Sequence, residues 1–177
     1  GHGQLLQTIA VRGSARDQRT VLTSASYDGM GRELSVVNAS GTRTTVYDDA
    51  NRRITLTNAA TGLSIQQAFD ARGRLLSVVQ SAGSTSRATQ YVYDSAGRLR
   101  MQVDAGANLS DTSDDLRTYN FYDSAGRLQS VVGRDGAVTW MTYDANGRLV
   151  GQTQYLSRAN TSGWYDETTG VVVKTAL

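Results

Sequence analysis

Short runs along this chain set apolar residues against polar ones with a period of two. Leu99-Arg100-Met101-Gln102-Val103 alternates strictly, and Leu75-Leu76-Ser77-Val78-Val79 is a looser case of the same pattern. Such a period predicts β-strands with one face covered. Other runs are rich in β-branched and aromatic residues: Thr44-Thr45-Val46-Tyr47, Tyr91-Val92-Tyr93 and Val138-Thr139-Trp140-Met141-Thr142-Tyr143. These side chains fit a pleated, half-covered surface. No helical period of useful length is present. The pattern predicts an all-β chain, an antiparallel meander of about a dozen strands, a size at which open sheets tend to curl.

Between the runs one short phrase returns: an aromatic residue, Asp, two variable residues, Gly or Asn, then Arg. It occupies 27–32, 47–52, 69–74, 93–98, 122–127 and 143–148, with aromatics at Tyr27, Tyr47, Phe69, Tyr93, Tyr122 and Tyr143. Recurrence every twenty-odd residues marks a repeat architecture. Asp at the start of a type I turn can accept backbone N–H groups two residues on, and Gly suits the left-handed position that follows. The phrase therefore predicts hairpin turns on Asp28/Gly31, Asp48/Asn51, Asp70/Gly73, Asp94/Gly97, Asp123/Gly126 and Asp144/Gly147. Asn51 stands where the others have Gly, and Asn is the residue that best tolerates that conformation after Gly. Second turns fall at Ser40-Gly41, Thr61-Gly62, Ala82-Gly83 and Asp135-Gly136. Each repeat is thus two strands and two turns.

The rhythm breaks in places. After Arg, the later copies place Leu75, Leu99, Leu128 and Leu149; the first two place Glu33 and Arg53, and their apolar residues fall one position later. A one-residue shift exchanges faces. Either these turns are one residue longer or the covered face changes. Residues 104–116 form an acidic insertion expected to be a surface loop, and Leu156 to Gly163 a second polar loop. A degenerate seventh copy without Arg lies at 165–170. Residues 171–177 are a terminal strand or tail, and Gly1-His2-Gly3 reads as a tag remnant ahead of an array spanning 4–170.

Composition narrows function more than it names one. The net charge of +2 gives no electrostatic case for a nucleic-acid partner. There is no Cys, so disulfides and thiolate metal sites are excluded. No apolar run is long enough for a membrane span. His2 is the sole histidine, so Ser/His/Asp and zinc-ligand patterns fail and no catalytic residue is assigned. A contact repeated six times builds a scaffold, whereas an active site needs one constellation. Two local alternatives stand beside that reading. Asp104, Asp111, Asp114 and Asp115 could surround Ca²⁺, although their spacing matches no known calcium loop; the plainer reading is a solvated acidic loop and no cofactor. Tyr91, Tyr93, Tyr119 and Trp140 could stack on carbohydrate if exposed, or form cross-strand pairs if not.

An aromatic-Asp phrase with Gly-Arg-Leu, recurring from about Ala25 to Gly170, resembles the YD repeat of the RHS family. The resemblance implies β-hairpins coiling into a strongly curled sheet or β-solenoid, a section of a hollow shell. Family members include cocoon subunits of bacterial toxin complexes, secreted polymorphic toxins, wall-associated proteins and teneurins. It implies a secreted or cell-surface protein whose partners are the rest of the parent repeat protein and an encapsulated effector. The alternative is an adhesin module binding carbohydrate or protein. Cut strand ends also predict edge-to-edge self-association, with Val171-Val172-Val173 as one route.

Overall fold

The structure, a computed structural model, describes residues 5–11, 19–104 and 116–177. Two compact units divide the chain at Ser86/Arg87. The first holds β1 (Leu5–Val11), β2 (Arg19–Tyr27), β3 (Glu33–Asn38), β4 (Gly41–Asp48), β5 (Arg53–Asn58), β6 (Leu63–Phe69) and β7 (Leu75–Ala82). Each pairs antiparallel with its neighbour in the chain. The second is built on β8 (Thr85–Tyr93), β9 (Leu99–Val103), β10 (Arg117–Tyr122), β11 (Leu128–Val132), β12 (Ala137–Tyr143) and β13 (Leu149–Arg158), paired in the same sequential way. A separate hairpin, β14 (Tyr165–Asp166) and β15 (Val171–Val172), completes it. Among the described residues every regular element is a strand, and no helix is long and apolar enough to cross a membrane. The fold is the antiparallel hairpin array that the alternation predicts.

Five of the six phrases make one turn. Asp28 accepts the Gly31 N–H on its carbonyl at 3.0 Å and donates its own N–H to the Arg32 carbonyl at 2.9 Å; Asp70, Asp94, Asp123 and Asp144 repeat both bonds. Gly31, Gly73, Gly97, Gly126 and Gly147 take φ of 79, 78, 85, 81 and 78°, the left-handed conformation that costs Gly nothing. Just past the turn a second irregularity follows, a bulge at Leu34, Leu76, Arg100, Gln129 or Val150.

The second copy differs, and Asn51 is not its left-handed residue. That role falls to Arg52, at φ 53°. Here Asp48 pairs with Arg53 across four loop residues, 49–52, and no bulge follows. The turn has moved one residue along the chain. The consequence is that the register beyond it is preserved. In every copy the residue two before the aromatic opposes the ninth after it: Ala25 with Val36, Thr45 with Leu56, Gln67 with Val78, Tyr91 with Gln102, Asn120 with Val131, Met141 with Gln152. A longer loop without a bulge thus replaces a shorter loop with one. Arg52 is exposed and gains nothing visible from its strained backbone, so Arg52→Gly is expected to stabilise by about 1 kcal/mol in urea unfolding.

The first copy keeps the common turn and changes its covered face instead. Glu33 takes the place of the later leucines and pairs with Arg43 at 2.6 Å. Leu34 and Val36 are half-buried there, and Ile54 and Leu56 likewise in the second copy, while Val37 is exposed. In the second unit the other set is covered: Met101, Val103, Ser130 and Val132 are fully buried.

One expectation near the end of the chain needs correcting. Leu156 to Arg158 continue β13, because Arg158 still opposes Ala137, so the loop begins at Ala159. Val171 and Val172 form β15 and oppose Asp166 and Tyr165, and the Val173 N–H reaches the Trp164 carbonyl at 2.9 Å. This hairpin repeats the turn of the second copy: a four-residue loop, 167–170, with Gly170 at φ 67°. Of the acidic insertion, residues 105–115 lie outside the described residues; its ends meet where the Asp104 N–H donates to the Leu116 carbonyl.

Candidate functional site

The repeated phrase assembles a ladder that runs from one hairpin to the next. Within a copy, Asp Oδ1 accepts the backbone N–H of the repeat Arg, and Oδ2 accepts its Nε at 2.6–2.8 Å, in the pairs Arg32/Asp28, Arg74/Asp70, Arg98/Asp94, Arg127/Asp123 and Arg148/Asp144. Fixed in this way, the guanidinium lies over the aromatic ring of the following copy: Arg32 over Tyr47 at 4.2 Å, Arg98 over Tyr122 at 4.5 Å, Arg127 over Tyr143 at 4.7 Å. A planar cation on a π-face is attractive, and more so when partly desolvated. In the two later pairs the ring's hydroxyl returns the contact. Tyr122 Oη donates to the Leu99 carbonyl at 2.8 Å and Tyr143 Oη to the Leu128 carbonyl at 2.7 Å, each beside the bulge of the previous copy.

The carboxylates respond to this arrangement. Asp28, Asp70, Asp123 and Asp144 are held below the usual carboxylate range, first by the backbone N–H of their Arg and with help from its guanidinium. Burial pushes Asp94 the other way, but the same hydrogen bonds outweigh it. In the second and seventh copies the Arg is replaced by the third residue after Asp. Asn51 Nδ2 donates to Asp48 Oδ2 at 2.8 Å, and Thr169 Oγ1 to Asp166 Oδ2 at 2.7 Å. These side-chain bonds are the main reason that Asp48 and Asp166 are also lowered.

Reading the phrase as turn chemistry alone misses the Arg, which looks like a solvated surface charge until its neighbours are placed. One signal was nevertheless present. Phe69 is the only repeat aromatic of the six without a hydroxyl, and it follows the only copy without a bulge. Where no bulge carbonyl is left outside the strand ladder, no hydroxyl is needed. Tyr122→Phe should therefore cost about 1 kcal/mol in urea unfolding, whereas Phe69→Tyr should give no gain. A neutral Tyr122→Phe would remove the hydroxyl from the ladder.

The second unit carries its own buried floor. Met101, Val103, Tyr119, Phe121 and Val132 form the core, with Tyr165 and Val172 of the terminal hairpin buried against them. Trp164 meets Tyr119 and Phe121 edge-on, with ring centroids 5.3 and 5.6 Å apart. Two covered arginines tie the hairpin down. Arg117 Nη2 donates to Glu167 Oε1 at 2.6 Å, and Arg100 donates to the carbonyls of Asn120 and Lys174. Burial lowers the pKa of Arg100 from its ordinary value. Nothing in the degenerate seventh phrase signals that it folds back onto the floor.

The residues proposed for ligands are not brought together. Tyr119 is fully buried and cannot present a face to a sugar; it is core. Tyr91, Tyr93 and Trp140 are half-buried. Trp140 lines an open cleft of about 280 Å³, with Val138, Tyr155 and Arg158 among its walls. Asp104 is bound to Arg134 at 3.0 Å, while Asp111, Asp114 and Asp115 lie outside the described residues. Among the described residues no three carboxylate or imidazole groups lie together as a metal site would need.

The RHS Repeat family model matches residues 69–108 and 122–157, which hold the third to sixth phrases. The chain carries RHS repeats. The two phrases outside the match are the ones with the shifted apolar pattern. Solved structures similar to the chain include the TcdB2-TccC3-Cdc42 complex, 18% identical with a TM-score of 0.45 over 77% of this chain and 9% of its own. A mutant Tc holotoxin pore from Photorhabdus luminescens, also 18% identical, covers 84% of this chain and 10% of its own, with a TM-score of 0.45. The chain thus spans about a tenth of the length of these toxin chains. Comparison with curated proteins finds no match. The matched stretches are RHS repeats within a longer run of antiparallel hairpins.

Proposed function

We propose that this segment builds part of the wall of a secreted or surface-held bacterial RHS-type protein, one that encloses or delivers a toxic effector. It performs no catalysis and holds no cofactor of its own. The observation that carries this reading is the ladder. The same Asp–Arg–aromatic contact joins successive hairpins while the register stays constant, which is how a wall is extended rather than how a single site is made. Electron microscopy of the parent protein tests it. A closed wall around separate internal density is expected; repeats strung out as an exposed array would overturn it.

A second reading rests on the cleft at Trp140 and Tyr155, whose aromatic walls suit the apolar face of a sugar or a partner side chain. It makes the segment an adhesin module. Titration with oligosaccharides, followed by tryptophan fluorescence, should show a saturable change that Trp140→Ala abolishes. A flat titration sinks it.

A further inference from the structure

The repeated phrase closes its hairpin in two forms that share the register of the strands beyond them. In the short form, at the first phrase, Tyr27 opposes Glu33, Leu34 bulges and Ser26 opposes Ser35. In the long form, at the second phrase, Asp48 opposes Arg53 and Tyr47 opposes Ile54 with no bulge. Val46 nevertheless opposes Thr55, the same positions as Ser26 and Ser35. The terminal hairpin is also long, with Asp166 opposite Val171 and Tyr165 opposite Val172. One form therefore converts into the other by rearranging only the phrase and the two residues after it. A bulge bends its strand and raises its right-handed twist, so the forms differ in local twist.

We infer that the fifth residue of each phrase selects the form, and so sets the twist of the array one hairpin at a time. The selection works through Asp Oδ2. In the short copies the fifth residue is Gly; it takes the left-handed position, and the repeat Arg Nε donates to that oxygen. In the long copies the fifth residue carries a donor and takes the oxygen itself, Asn51 Nδ2 at 2.8 Å and Thr169 Oγ1 at 2.7 Å. The left-handed conformation then passes to the sixth residue, Arg52 at φ 53° or Gly170 at 67°. Displaced from Asp48, Arg52 is exposed, and among the described residues it makes no ion pair and Phe69 carries no cation on its ring. The second phrase is therefore poised between forms. The long one strains Arg52 but adds a strand pair; the short one would give Arg52 both Asp48 and the Phe69 ring. As a means of shaping a wall this rests on the wall reading, whereas the selection itself belongs to the turn.

Asn51→Gly in the full chain, followed by NMR, tests the selection. The variant should place the residue at 51 at positive φ, bring Tyr47 opposite Arg53 and turn Ile54 into a bulge. Arg52→Ala gives a second readout in urea unfolding. In the native background it should leave the folding equilibrium constant nearly unchanged, because Arg52 touches nothing there. Combined with Asn51→Gly it should lower that constant about fivefold, because Arg52 then holds Asp48 and the next ring. An Asn51→Gly chain that keeps Asp48 opposite Arg53 would overturn the inference. So would an Arg52→Ala effect of the same size in both backgrounds. Residues 51 and 52 are both exposed, so loss of folding does not confuse the result. Neither outcome bears on whether a closed wall forms, so the two readings fail separately.

Discussion

Trp164→Ala should lower the stability of the second unit by about 3 kcal/mol, on the order of 10–20 °C in Tm for a unit of this size. The indole is half-buried, which puts the loss at the low end for Trp. It is nevertheless the piece that joins the hairpin to the floor. Its ring sits edge-on to both Tyr119 and Phe121, and Lys174 Nζ lies 5.6 Å from its centroid. Without it, the buried cluster that includes Met101, Val103, Tyr165 and Val172 loses one of the side chains packed against it. Dye binding to the uncovered floor should rise together with the fall in Tm. A change under about 1 kcal/mol would mean that Arg117–Glu167 and the Arg100 bonds hold the hairpin without the indole. Glu167→Ala separates these contributions, since it leaves the covered Arg117 without that carboxylate.

Acid should unfold the array through the same bonds that build it. Asp28, Asp48, Asp70, Asp94, Asp123, Asp144 and Asp166 all have folded pKa values lowered from 3.8. The unfolded chain therefore takes up protons before the folded one does. The stabilisation is complete above the unfolded value and is lost as pH falls through the lowered folded values. Tm should be level from about pH 7 to 5 and then drop steeply below about pH 4, because these carboxylates, with Asp49 and Asp135, contribute to the slope together. Asp123→Asn should lower Tm at neutral pH and make the acid limb shallower. An unchanged Tm between about pH 5 and 2.5 would show that these carboxylates do not favour the fold.

Much of this could be read from the order of residues because the decisive forces are local. Asp with Gly three residues later makes a turn wherever it stands between strands, so the repeat boundaries and the antiparallel hairpins follow from neighbours in the chain. Asn51 shows where that argument stops. Asn tolerates the left-handed conformation, but here its amide serves Asp48 better, and Arg52 takes the strained position instead. The choice depends on keeping register across β4 and β5, a cross-strand matter. Tyr119 was legible as an aromatic on a strand, but whether it faced solvent depended on a hairpin that begins 45 residues later.

Local chemistry alone set the period, the turns and the strand alternation of this chain, since each needs only residues a few places apart. Contacts between hairpins set the rest. They placed repeat Arg side chains over the next ring and laid the seventh hairpin on the floor through Trp164. The reason is distance along the chain: side chains some 15 to 70 residues apart meet only once the strands are in register, and no local pattern records which face they will share.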